Sequence, residues 1–121
     1  MSHTTTVQTE VTDEEALRTA CSELGYTYEG KGTRRMYDGK NATGMVCTIP
    51  EWKYPVVFAE TGECFFDTYE ERWGKVADLQ SLKRRYSVNV HKRVAAKKGL
   101  RVRETVNKEG KILLVVGGRA A

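Results

Sequence analysis

A chain of 121 residues with 40% hydrophobic and 30% charged residues is long enough to bury one core and too short for two, and that balance excludes a disordered chain. The net charge of +4 conceals a division: residues 1–71 hold six Lys or Arg against thirteen Asp or Glu, whereas residues 72–103 hold eleven basic residues against Asp78 alone. No apolar run approaches the roughly 20 residues that span a bilayer, and the opening MSHTTTVQTE has neither region of a secretory signal, so a cytoplasmic, single-domain protein (1–121) without membrane attachment is expected.

His3 to Val11 is rich in β-branched residues with partial alternation and reads as an opening strand inside the sheet. Thr12 then predicts a helix start, as the N-cap of a capping box closed by Glu15, with Asp13 and Glu14 placing negative charge at the positive end of the helix dipole. Leu17, Ala20, Cys21 and Leu24 follow at the spacing of one apolar helical face, and Gly25 supplies the stop. Tyr26 to Glu29 reads as a short strand. Gly30 to Gly44, broken by glycines and turn formers, reads as a loop or irregular hairpin.

Met45 to Ile49, Tyr54 to Ala59 and Cys64 to Tyr69 are apolar runs separated by PEWK and ETGE, the pattern of an antiparallel meander. Glu70 to Lys75 bridges to the next element, with Trp73 read as an anchor that packs a loop over the core in preference to a ligand platform. Val76 to Gly99 carries most of the positive charge and predicts a long helix. Val76, Leu79, Leu82, Tyr86, Val90 and Val94 keep to one side of it. Val88 falls opposite that stripe and argues for a break near Tyr86 to Ser87. Lys97, Lys98 and Gly99 suit a helix C-terminus. Leu100 to Val106 and Lys111 to Val116 then form a hairpin across NKEG, and the continuous run ILLVV suggests a central strand covered on both faces. The expected fold is α+β, two helices on a mostly antiparallel sheet in the order β-α-β-βββ-α-ββ.

The opening Met1-Ser2-His3, the TDEEAL segment from Thr12 to Leu17, Leu24-Gly25-Tyr26, Trp73-Gly74, Arg85-Tyr86, Gly99 and the Gly110 turn into ILLVV span nearly the whole chain in order. With these landmarks the chain resembles the domain-of-unknown-function family 1257, which includes a hypothetical reading frame of plastid and cyanobacterial genomes. Glu29 to Pro50 departs from the family pattern. The resemblance implies no catalytic residue. It implies an accessory role beside neighbours such as an AAA-type ATPase or a small ferredoxin-like protein.

Catalysis needs a base with an orienting partner, and the chain offers two histidines. His91 sits among Lys92 and Arg93 on the polar side of the helix, and His3 suits a hydrogen bond against the sheet. Cys21, Cys47 and Cys64 form no C-x-x-C pair, so they read as buried thiols, and no catalytic residue, metal ligand or cofactor is assigned. GKGTRR at Gly30 to Arg35 lacks the spacing of a phosphate loop. What remains is the basic helix. Lys83, Arg84, Arg85, His91, Lys92 and Arg93, with Trp73, form the expected partner-binding set for a non-enzymatic adaptor that docks on a protein. The alternative is a nucleic-acid binder using the basic tract 83–103, against which the poor aromatic interleaving counts.

Overall fold

The computed structural model describes residues 4–119. Nine elements follow one another: β1 (Thr4–Gln8), α1 (Glu14–Leu24), β2 (Thr27–Arg35), β3 (Asn41–Thr48), β4 (Val56–Phe58), β5 (Glu63–Asp67), α2 (Val76–Lys97), β6 (Leu100–Val106) and β7 (Ile112–Arg119). The α+β class and the element order are those the sequence predicts. Every strand pairing is antiparallel, with one five-stranded sheet in the order β1-β5-β4-β3-β2 and a separate ribbon of β6 and β7. Among the described residues no helix is long and apolar enough to cross a membrane.

The period of two along each strand divides the five-stranded sheet into two apolar faces. Met45, Cys47, Val56, Phe58, Cys64 and Phe66 point to one side, where Ala16, Leu17, Ala20 and Cys21 of α1 and Leu79, Leu82 and Tyr86 of α2 complete the main core. Val46 and Val57, the alternate residues, meet Met36, Ala42 and Phe65 in a smaller cluster on the opposite side. β3 and β4 cross closely, because a Cβ at Gly44 would lie 2.2 Å from the Phe58 carbonyl oxygen.

Several local expectations are corrected. β1 is an edge strand, not an interior one, and His3 lies outside the described residues. The cap of α1 is Asp13, whose carboxylate accepts from the Ala16 amide, while Glu15 instead accepts from Arg18. Thr12 is displaced from the cap because its amide, like that of Asp13, donates to the Tyr86 hydroxyl across the helix interface. For Gly30 to Gly44, expected as a loop or irregular hairpin, the second alternative holds: β2 and β3 pair from Thr27↔Thr48 to Arg35↔Asn41, with a register shift between Tyr28 and Gly30 that leaves Glu29 as the extra residue.

α2 runs unbroken for 22 residues, about 33 Å at 1.5 Å per residue. Val88 does not break it. It is only 7% exposed because the helix has two buried sides, one on the main core and one beneath the β6–β7 ribbon. The same ribbon corrects the reading of ILLVV: β7 has β6 on one edge and, among the described residues, no strand on the other, and its outer side chains Leu113 and Val115 are 47% and 44% exposed.

Candidate functional site

The positive charge of α2 is largely matched from within. Arg85, with 16% of its side chain exposed, donates through Nη1 to Glu104 Oε2 at 2.8 Å, and through Nη2 to Glu104 Oε1 at 3.1 Å and Glu23 Oε2 at 2.6 Å. Lys92 pairs with the same Glu104, and Asn89 Nδ2 donates to Glu23 Oε1 at 2.7 Å. One network thereby ties α1, α2 and β6 together. The hydrogen bonds from Arg85 and Lys92 pull the Glu104 carboxyl down to about 2, and its bond to Glu104 raises the Arg85 guanidinium above its usual range. Burial pushes the Glu23 carboxyl up, but bonds from Asn89 and Arg85 and the nearby positive charges outweigh it and leave the group below its ordinary value. Arg93 pairs with Asp13 at the N-terminus of α1. Three of the six basic candidates, Arg85, Lys92 and Arg93, therefore serve the fold.

The other three, Lys83, Arg84 and His91, have no carboxylate partner among the described residues. Arg84 and His91 stand at the mouth of a groove between α2 and the ribbon, about 730 Å³ in volume, with Val88, Ile112 and Leu114 in its lining and Lys111 on its rim. A second depression of about 380 Å³ shares His91 and Leu114 with it and reaches Ala95 and Lys98 further along the helix. The two follow α2 from Ser81 to Lys98, so an open groove with apolar lining and basic side chains runs along the helix beside the ribbon.

Trp73 does not join this site. It packs in the loop before α2, stacked on Tyr69 at 4.7 Å and tilted against Tyr37 at 4.8 Å and Tyr54 at 5.4 Å, with the Lys53 ammonium 4.5 Å from its ring centre. Those contacts are a loop anchor's. The preceding residues Tyr69, Glu70 and Glu71 all have positive φ, at 46°, 53° and 68°, a strained run that the aromatic packing holds in place.

The thiols are buried inside the main core. Cys21 and Cys47 touch at 3.6 Å between sulfurs, contact with Cys21 and burial together push the Cys47 thiol up, and burial pushes Cys64 up to about 12. The contact with Cys47 lowers the Cys21 thiol against the opposing effect of burial, but all three sulfurs are enclosed in the core, without the exposure that thiol chemistry needs. No group of three or more His, Cys, Asp or Glu among the described residues converges to hold a metal.

Sequence reasoning missed the ribbon's share of the site, Ile112, Leu114 and Lys111, and the carboxylates Glu23, Glu104 and Asp13 that neutralise the helix. Val88 was the available signal for the first: an apolar residue off the main stripe marks a second contact face. No family model, no curated protein and no solved structure matches the chain.

Proposed function

We propose that this is a small non-enzymatic accessory protein that binds an acidic segment of a protein partner in the groove between α2 and the β6–β7 ribbon. The observation that carries the reading is the pairing of apolar walls, Val88, Ile112 and Leu114, with basic groups at the rim, Arg84, His91 and Lys98, that no carboxylate of the described residues meets. Apolar side chains of a partner would gain burial there, and its carboxylates would replace water around the rim. An AAA-type ATPase or a ferredoxin-like protein, the partners implied by the family resemblance, fits the proposal if it presents such a segment. A cytoplasmic location is part of the same reading and agrees with three free thiols. Nucleic acid is the weaker alternative, since Arg85, Lys92 and Arg93 are already paired.

Affinity purification from native cells tests it, using the wild type beside Arg84→Glu/His91→Glu. An acidic protein recovered with the wild type and lost with the variant supports the reading. Equal recovery with both, or no specific partner, overturns it.

A further inference from the structure

β7 has the side-chain pattern of a strand covered on both faces, yet it lies in a ribbon with a strand on one edge alone among the described residues. Its partner is β6, in a two-stranded ribbon whose second edge along β7 carries no strand among the described residues. Residues 112–116, ILLVV, carry no charge. Exposed edges are ordinarily guarded by lysine, proline or a bulge, because their free N–H and C=O groups accept any passing strand. Here the register shift, opposite Leu100 and Arg101, leaves Gly118 near the end of β7 as the extra residue, and Ile112 to Val115 stay regular. A two-stranded ribbon is also marginal by itself and gains from a third strand.

The side chains around that edge describe what would fill it. On the inner side Ile112 and Leu114 line the groove opposite Val88 and Ala95; on the outer side stand Leu113 and Val115. A strand added there presents apolar groups inward at every second residue. Arg84, His91, Lys98 and Lys111 along the groove, and Arg101 and Arg103 on the outer side of β6, favour carboxylates at its remaining positions and flanks. A second copy of this chain fits less well. Antiparallel self-pairing would bring together two sets of Arg101, Arg103, Lys108 and Lys111, with Glu109 as the sole ribbon carboxylate outside the Arg85 network.

We infer that the partner's acidic segment docks in extended form, as a third strand hydrogen-bonded to the free edge of β7, with alternate apolar side chains filling the groove over Val88. The inference rests on the acidic-segment reading above and specifies its geometry. Main-chain bonds along β7 supply affinity, and the alternating pockets and basic rim supply selectivity.

The test uses a displayed random nonapeptide library selected on the immobilised full chain, followed by synthesis of the most enriched peptides. The expected sequences alternate apolar residues with Asp or Glu. N-methylation at residues of one parity, whose amides face β7, should weaken binding at least tenfold, while the other parity tolerates it. Hydrogen exchange at Ile112 to Val115 should slow on binding. Acidic peptides that lose affinity with Arg84→Glu but respond alike to methylation at both parities would overturn strand addition and leave the acidic-segment reading standing. Enrichment of basic peptides, or none above a control surface, would overturn both. Protection of β7 that rises with protein concentration in the absence of peptide would assign the edge to a second copy and overturn the inference.

Discussion

Arg85 and Glu104 face each other across the gap between α2 and β6 in a two-point ion pair, Nη1 to Oε2 at 2.8 Å and Nη2 to Oε1 at 3.1 Å. The contact fixes the angle at which the ribbon stands off the helix, and with it the width of the groove. Arg85 also reaches Glu23, so one side chain holds α1, α2 and β6. Replacing it with alanine strands two carboxylates in a half-buried setting. Arg85→Ala is expected to lose about 2 kcal/mol of unfolding free energy by urea titration, within the range for charge-assisted hydrogen bonds. Hydrogen exchange in β6 and β7 should rise more than in the five-stranded sheet.

The same network carries an acid-sensitive share of stability. Glu104 is pulled down to about 2 by Arg85 and Lys92, from an ordinary value of 4.5. On acidification the unfolded chain therefore takes up the proton first, so the contribution is fully present above about pH 4.5 and is lost as pH falls toward 2. Wild type should lose more stability between pH 5 and pH 2.5 than Glu104→Gln, which lacks the titrating group; the two chains unfolded in urea at both pH values give the comparison. Equal losses would remove Glu104 as the cause.

Tyr86 ties α2 to the start of α1. Its hydroxyl accepts from the amides of Thr12 and Asp13, each at 2.9 Å, and donates to the Glu10 carbonyl at 3.3 Å. A helix start leaves amides without intrahelical partners, and here a side chain from a distant helix meets the N-cap amide of Asp13 and that of Thr12 just before it. Tyr86→Phe keeps the buried ring and removes the oxygen, leaving those amides unmet. A loss of about 1–2 kcal/mol is expected, with faster amide exchange at Thr12 and Asp13 and little change in the β2–β3 hairpin.

The displacement of the cap from Thr12 to Asp13 has this long-range origin, and it shows why some of the fold was legible in the sequence and some was not. Helix periodicity, Gly25 and the meander depend on neighbours close in the chain, and they read correctly. The Tyr86 contact joins residues more than seventy positions apart, and no local pattern announces it. Arg85 looked like surface charge for the same reason, since its partners Glu23 and Glu104 lie on other elements. β7 failed differently. A continuous apolar run states that a strand wants cover on both faces, and it does not say whether the chain itself supplies that cover or a strand on each edge. For the candidate site, the basic rim at Arg84 and His91 was visible, whereas its apolar walls needed the ribbon's position.

Gly74 is required by packing at the foot of α2. A Cβ there would meet the Trp52 ring at 2.3 Å, and the Trp52 indole donates to the Asp78 carboxylate at 3.1 Å. Rigid aromatic atoms on one side leave the methyl no room, so Gly74→Ala must move the ring or the loop. The cost is expected to be about 1–3 kcal/mol, with a red shift in tryptophan emission as Trp52 gains water. An unchanged spectrum and melting profile would mean that the loop adjusts instead.

Salt distinguishes the fold's use of the basic helix from a nucleic-acid surface. If all of Lys83, Arg84, Arg85, His91, Lys92 and Arg93 met phosphates, log affinity would fall with log salt at a slope of about −5, counting roughly −0.9 for each phosphate neutralised. Arg85, Lys92 and Arg93 are held by Glu104, Glu23 and Asp13, and to reach a phosphate each would first have to give up its carboxylate. Of the six, Lys83 and Arg84 are the Lys or Arg side chains left without a carboxylate among the described residues, and they give a slope nearer about −2. Raising salt from about 50 to 200 mM should therefore weaken duplex or single-strand binding through this set only about tenfold, where all six would give about a thousandfold. Lys83→Ala/Arg84→Ala should abolish that residual binding without lowering stability. A steep slope that survives the double substitution would show that the paired side chains or the rest of the tract 83–103 meet phosphate, and would place the nucleic-acid reading ahead of the protein partner.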